Sequence, residues 1–217
     1  NRARKGKALS RKRVRQARGL YLAQVNWTDE QFGRLLDGLE TRGLMDDSLI
    51  IMTADHGEML NEHRLGQVYT HGPDVDLPII HVPMIIAGRG RFETPKGTVV
   101  ERQVRLADLG STVLGAAGIE STLGHGEDLA RVWSGEAGPP PVRFAEATRS
   151  GVNLKKGKAL EGVWPNLDFE RTVIDGDAML VYTPWRGDPP ALFSVSMGQP
   201  SLEDPDKVVE LKAALDV

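Results

Sequence analysis

An acid, an imidazole and a glycine stand side by side at Asp55-His56-Gly57. A carboxylate oxygen and an imidazole nitrogen are both ligands for a divalent ion, and the glycine permits the tight bend that lets adjacent side chains face one ion. Such a pair suits Zn²⁺, Mn²⁺ or another divalent ion, with Ca²⁺ less at ease with imidazole. Two ligands do not complete a site. His63 and His71 follow in the same stretch and can approach it; Asp74 and Asp76 are further candidates. Glu58 and Glu62 lie nearby, where they either contribute or decorate a short helical turn. The bland alternative is a turn with a capping Asp, which the same tripeptide often marks. Position favours the metal: Leu49, Ile50, Ile51 and Met52 run almost directly into the pair, and ligands of α/β sheets gather at the carboxyl ends of strands. His81, before Val82-Pro83, reads as a structural histidine at a strand entrance, and His125 as a loop residue.

The elements that must position these groups can be read from periodicity. Tyr21, Val25, Phe32, Leu36 and Leu39 recur at helical spacing, which predicts a helix from about Val14 to Thr41 ended by Gly43. Asp29 falls on that same face, one turn after Val25, either as a buried polar contact or at the edge of the stripe. Ser48 to Ala54 is the apolar strand, residues 55 to 78 read as loop, and Pro83 to Ala87 form a second buried strand. Val99 to Val104 is expected as a short third strand, and Leu106 to Ala117 as a helix stopped by Gly118. Strand and helix in alternation predict a mostly parallel sheet with helices on its faces. The composition shifts near Gly135, where SGEAGPPPVR has the signature of a linker. Beyond it, Val142–Ala145, Arg171–Ile174, Ala178–Tyr182 and Ala191–Val195 are short strand candidates. Asp175-Gly176-Asp177 reads as a hairpin turn and Asp204 to Leu215 as a terminal helix. This part is expected to be a small α+β subdomain.

Composition narrows the chemistry. The 217 residues are enough for a sizeable core. No stretch is long and apolar enough to span a bilayer, and no secretory signal pattern opens the chain. The absence of cysteine rules out disulfides, a thiolate zinc site and a Cys nucleophile within it. Nine of the 27 basic residues crowd into residues 1–19, which hold no acid; the remainder carries 18 against 30 acidic side chains. The basic arm reads as a solvated lead into the helix. An acidic remainder without base-reading aromatics argues against a nucleic-acid surface, and a basic-arm binder would betray itself by salt-dependent DNA retention.

Taken in order, these motifs resemble the sulfatase branch of the alkaline-phosphatase superfamily. The family carries a helix of the type Tyr-x-x-x-Val-x-x-x-Asp with a following Gly-x-x-Leu, here Tyr21, Val25, Asp29, Gly33 and Leu36. A strand ending in Asp-His-Gly-Glu leads to a Glu-His pair, here Glu62-His63, then to a His-Gly and a Val-Pro strand, here His71-Gly72 and Val82-Pro83. LADLGSTVLGAAGIE, residues 106–120, resembles the segment that follows. The resemblance is close from about residue 20 to 120 and holds only in outline after 140. It implies part of an alkaline-phosphatase-like, mostly parallel sheet with flanking helices, divided as a basic arm (1–19), the C-terminal part of the α/β domain (20–135) and a small C-terminal α+β subdomain (136–217).

The resemblance further implies that Asp55 and His56 bind the catalytic divalent metal, whether Ca²⁺, Mn²⁺, Zn²⁺ or Mg²⁺. His71 would stand near the sulfate or phosphate oxyanion, where relatives place a Lys or His, and His63 would be a pocket residue aiding the leaving group. The substrate would be a small-molecule or glycan sulfate or phosphate ester. The departures are as informative. The family's Cys/Ser/Thr-x-Pro-x-Arg nucleophile motif and two further carboxylates lie in the N-terminal part of its domain, and no such motif occurs here. The chain is therefore expected to correspond to the C-terminal portion of the enzyme and to be inactive alone. Asp-His in place of Asp-Asn leans towards phosphonate or phosphate esters, and a non-catalytic remnant that keeps the fold is the remaining alternative.

Overall fold

A computed structural model of the chain describes residues 9–62, 68–71, 75–120, 126–148, 169–183, 189–196, 199–200 and 204–215. It divides into two compact units, one of Asn1–His71 with His81–Val99 and one of Gly72–Ile80 with Val100–Val217.

The first unit opens with helix α1, Arg11–Thr41. Ser10 caps it, its side chain accepting from the Arg13 N–H. At the other end Gly43 adopts φ +67°, and the N–H groups of Gly43 and Leu44 donate to the carbonyls of Glu40 and Leu39. This is the glycine-dependent cap in which a left-handed residue satisfies the last free carbonyls. The expected stripe holds only in part and is shallow: Tyr21, Phe32, Leu36 and Leu39 are half-buried, Val25 and Asp29 are exposed, and no residue of α1 is fully buried. Strands β1 (Leu49–Thr53) and β4 (Met84–Gly88) follow, with the short β2 (Met59–Leu60) and β3 (Val68–Thr70) between them.

The strand directions differ from the expectation. β1 and β4 pair antiparallel, from Leu49 opposite Gly88 to Thr53 opposite Met84, and every strand pair among the described residues is antiparallel. A parallel pair needs a crossover that carries the chain back along the sheet, usually a long helix. Here the connection from β1 to β4 folds into a hairpin and a short helix, α2 (Leu77–Ile80), and β4 returns against β1. β1 is half-buried along its length rather than buried, because among the described residues only β4 pairs with it. The segment 55–78 is not wholly loop, since β2 and β3 form a bulged ladder. Pieces of two and three residues are too short to display alternation.

Gly88 closes β4 where backbone crowds backbone. A Cβ there would lie 1.7 Å from the Phe92 carbonyl oxygen. Gly88→Ala is therefore expected to cost about 3 kcal/mol, the upper end of an overpacking penalty, read as a lowered urea midpoint at unchanged slope.

The second unit contains a five-stranded antiparallel sheet in the order β5 (Arg143–Thr148), β6 (Phe169–Asp175), β7 (Ala178–Tyr182), β8 (Ala191–Ser194) and β9 (Gln199–Pro200). Helix α5, Pro205–Leu215, packs on it through Leu211 and Leu215 against Val173, Leu180 and Leu192. The hairpin turn forms at Asp175-Gly176-Asp177, with Gly176 at φ +58°. Asp177 then accepts from the Ser194 hydroxyl (2.6 Å) and the Ser196 N–H (2.7 Å), which ties the turn to the end of β8. The hydrogen bonds from Ser194 and Ser196 hold its carboxyl below the ordinary value.

Helices α3 (Asp108–Ala116) and α4 (Ala130–Trp133) precede this sheet. Residues 99–104 are not a strand. Their polar side chains are used instead: Arg102 pairs with Glu127 and donates to the Gly138 carbonyl, and Gln103 donates to the Gly176 carbonyl. Asp108 is fully buried and accepts from the Arg105 side chain (2.8 and 3.2 Å), the Arg105 N–H (2.7 Å) and the Glu127 N–H (3.0 Å). Burial pushes its carboxyl up, but the hydrogen bonds from Arg105 and Glu127 outweigh that and leave it below the ordinary range.

Candidate metal centre

β1 ends at Thr53, whose hydroxyl donates to the Pro83 carbonyl (2.8 Å) and so ties the strand end to the entrance of β4. The chain then turns. Asp55 Oδ1 accepts from the His56 N–H at 3.0 Å, a side chain folded onto its own turn. Oδ2 lies 3.8 Å from His56 Nε2. His56 Nδ1 sits 2.9 Å from the Gly57 carbonyl oxygen, which can only accept, so Nδ1 carries a proton and, in the neutral ring, Nε2 is the nitrogen with the lone pair. A metal-bound histidine usually shows this arrangement, its second nitrogen donating to a carbonyl or carboxylate. The Asp55 side chain is 89% exposed and that of His56 43%. One hard oxygen and one imidazole nitrogen, close together and open to solvent, are a donor set that fits a divalent ion once the ring is neutral.

Among the described residues no three His, Asp or Glu side chains converge to hold an ion. The other candidates are distributed as follows. His71 lies just beyond β3 and stacks on His56, with ring centroids 4.4 Å apart and planes at 25°. Its Nδ1 is 3.3 Å from Glu58 Oε2. Glu62 turns elsewhere, accepting from the Leu60 N–H (2.6 Å) and facing Arg18 of α1 (3.6 Å). Asp76 heads α2, where its carbonyl accepts from the Ile79 and Ile80 N–H groups. His81 is exposed at the entrance to β4. His63, Asp74 and His125 lie outside the described residues.

The hairpin that carries His71 is fastened to α1. Tyr69 donates its hydroxyl to the Ala17 carbonyl (2.6 Å), and Arg18 Nε donates to the Leu60 carbonyl (3.0 Å). Two of its residues adopt the left-handed region, Asn61 at φ 74° and Tyr69 at φ 56°. For a bulky residue such as Tyr this is a strained backbone, a kind that clusters at functional sites. Asn61 is a type that tolerates it; nothing in the sequence marks Tyr69.

Against known proteins, the model of the family described as Sulfatase matches residues 1–119, more than half of the chain. The chain belongs to that family, the sulfatase branch of the alkaline-phosphatase superfamily. It is 28% identical to Arylsulfatase K of Danio rerio over 197 residues, which are 88% of this chain and 34% of the relative. It is 39% identical to the Low-salt glycan biosynthesis sulfotransferase Agl7 of Haloferax volcanii over 95 residues, 43% of this chain and 22% of the relative. Among solved structures it resembles the phosphonate monoester hydrolase SpPMH from Silicibacter pomeroyi, with a TM-score of 0.64 and 27% identity, covering 87% of this chain and 37% of that one. The chain thus spans 34% or less of the length of these two curated relatives.

Proposed function

We propose that this chain is a portion of a metal-dependent sulfuric-ester hydrolase, to which it contributes metal ligands and substrate-pocket residues. The observation that carries the reading is the tip of β1. There Asp55 and His56 present a carboxylate oxygen and the Nε2 that Gly57 leaves unengaged, within the segment that matches the family. An ion held there would withdraw charge from an ester oxygen as the bond to the leaving group lengthens. The residues of this chain bind and orient around that point. Asp55 and His56 hold the ion, His71 faces the anionic oxygens of the ester, and His63 aids departure of the alcohol. Donors fixed in advance around a developing negative charge need no reorganisation when it appears.

The nucleophile, two further carboxylates and the parallel strands of the family fold would come from upstream polypeptide. The metal-bearing part then corresponds to residues 20–135, led by a basic arm at 1–19, and residues 136–217 to a small C-terminal subdomain. The substrate class is a small-molecule or glycan ester. A phosphonate- or phosphate-ester substrate is the second reading, favoured by Asp-His in place of Asp-Asn and by the 27% likeness to a phosphonate monoester hydrolase.

The test compares this chain with a version extended upstream, each assayed on aryl sulfate, phosphate and phosphonate esters. The expected outcome is turnover by the extended protein alone, lost in Asp55→Ala. Turnover that survives Asp55→Ala overturns the metal assignment. An upstream sequence with neither nucleophile motif nor paired acids leaves the non-catalytic remnant.

A further inference from the structure

The geometry points to Glu58 as a positioning residue that fixes the ring of His71 and selects which of its two nitrogens faces the substrate. Met59 pairs with Thr70 across β2 and β3, and Glu58 and His71 flank that pair just beyond the end of the antiparallel ladder. The Glu58 side chain is mostly covered, 19% exposed, and the following Met59 is fully buried. Its Oε2 faces His71 Nδ1 at 3.3 Å, and its Oε1 is buried without a hydrogen-bond partner among the described residues. A carboxylate can only accept, so Nδ1 of His71 carries the proton and Nε2 becomes the atom left for a ligand. The His71 side chain is 56% exposed and would otherwise be free to turn over in place. Glu58 and the flat face of His56 together leave it one orientation. The hairpin supplies the rigidity, because Tyr69 and Arg18 fasten β3 and β2 to α1.

What His71 faces rests on the reading of the pocket given above; its orientation by Glu58 does not. The two are separated by measuring the tautomer directly. Long-range ¹H–¹⁵N NMR of the imidazoles is recorded on this chain, without metal, at about two pH units above the ordinary histidine value near 6.5. The expected result is a protonated Nδ1 on His71. That pattern is lost in Glu58→Ala and retained in Glu58→Gln, which keeps a carbonyl oxygen in place, while the backbone amide signals of β4 stay unchanged as a control on folding. An Nε2-protonated His71 in the native chain, or the same pattern in Glu58→Ala, overturns the proposal. In the upstream-extended protein Glu58→Ala is expected to lower kcat about tenfold with KM unchanged, in line with losses seen when the groups behind a functional histidine are removed. A switched tautomer with unaltered kcat leaves Glu58 as the orienting group and removes His71 from the pocket.

Discussion

In the upstream-extended protein, His56→Ala is expected to reduce kcat/KM towards an aryl sulfate by about 10³-fold, the scale of losing one fixed electrostatic stabiliser of the transition state. The same substitution in this chain should abolish any heat of divalent-ion binding at the β1 tip. The argument runs through one atom. Nδ1 of His56 is committed to the Gly57 carbonyl, which leaves Nε2 as a lone-pair donor 3.8 Å from the Asp55 carboxylate. Asn at position 56 keeps a polar side chain but offers an amide oxygen in place of nitrogen. His56→Asn is therefore expected to retain activity and to shift ion preference towards harder cations such as Ca²⁺. Calorimetric titration with Zn²⁺, Mn²⁺ and Ca²⁺ reads that shift. Equal preference in both forms would show that His56 does not touch the ion.

Asp108→Ala is expected to be the most damaging single change in the second unit, at about 3 kcal/mol. It removes a fully buried carboxylate that accepts from the partly exposed Arg105 side chain and from two backbone N–H groups. The pH dependence has a definite sign. The folded carboxyl titrates below its ordinary value, so its contribution is complete above the unfolded value near 4 and is lost as the pH falls through the lower, folded value. Asp108→Asn keeps the shape without the charge. Its stability should lie below that of the native chain at neutral pH and converge towards it in acid. Urea unfolding at neutral pH and at about pH 3 measures both limbs. Parallel loss in the two proteins would show that Asp108 does not drive the acid limb.

Much of the fold is written locally and could be read so. The spacing of Tyr21, Phe32, Leu36 and Leu39 and the glycine at 43 define α1, and its observed cap uses that glycine in the left-handed conformation. Asp175-Gly176-Asp177 supplies its hairpin from three residues. The arrival of Asp55 just beyond an apolar strand was also legible. Strand direction was not, because Leu49–Thr53 and Met84–Gly88 carry the same apolar run whichever way they pair. Nor was the Glu58–His71 pair, which depends on the register of a ladder too short to show periodicity. Nothing in the sequence marks Asp108 as buried. Its burial depends on the Glu127 N–H, nineteen residues on, as well as on Arg105 beside it.

The β1–β4 ribbon has a geometric corollary. Among the described residues β1 spends one row of peptide groups on β4, and no other described strand pairs along the seam of its opposite row. Any further strand laid along that seam sits about 5 Å away and delivers its own end residues beside Asp55. A coordination sphere can therefore be assembled from side chains on neighbouring strand tips, with its shape set by the fixed inter-strand spacing and not by the loops above it.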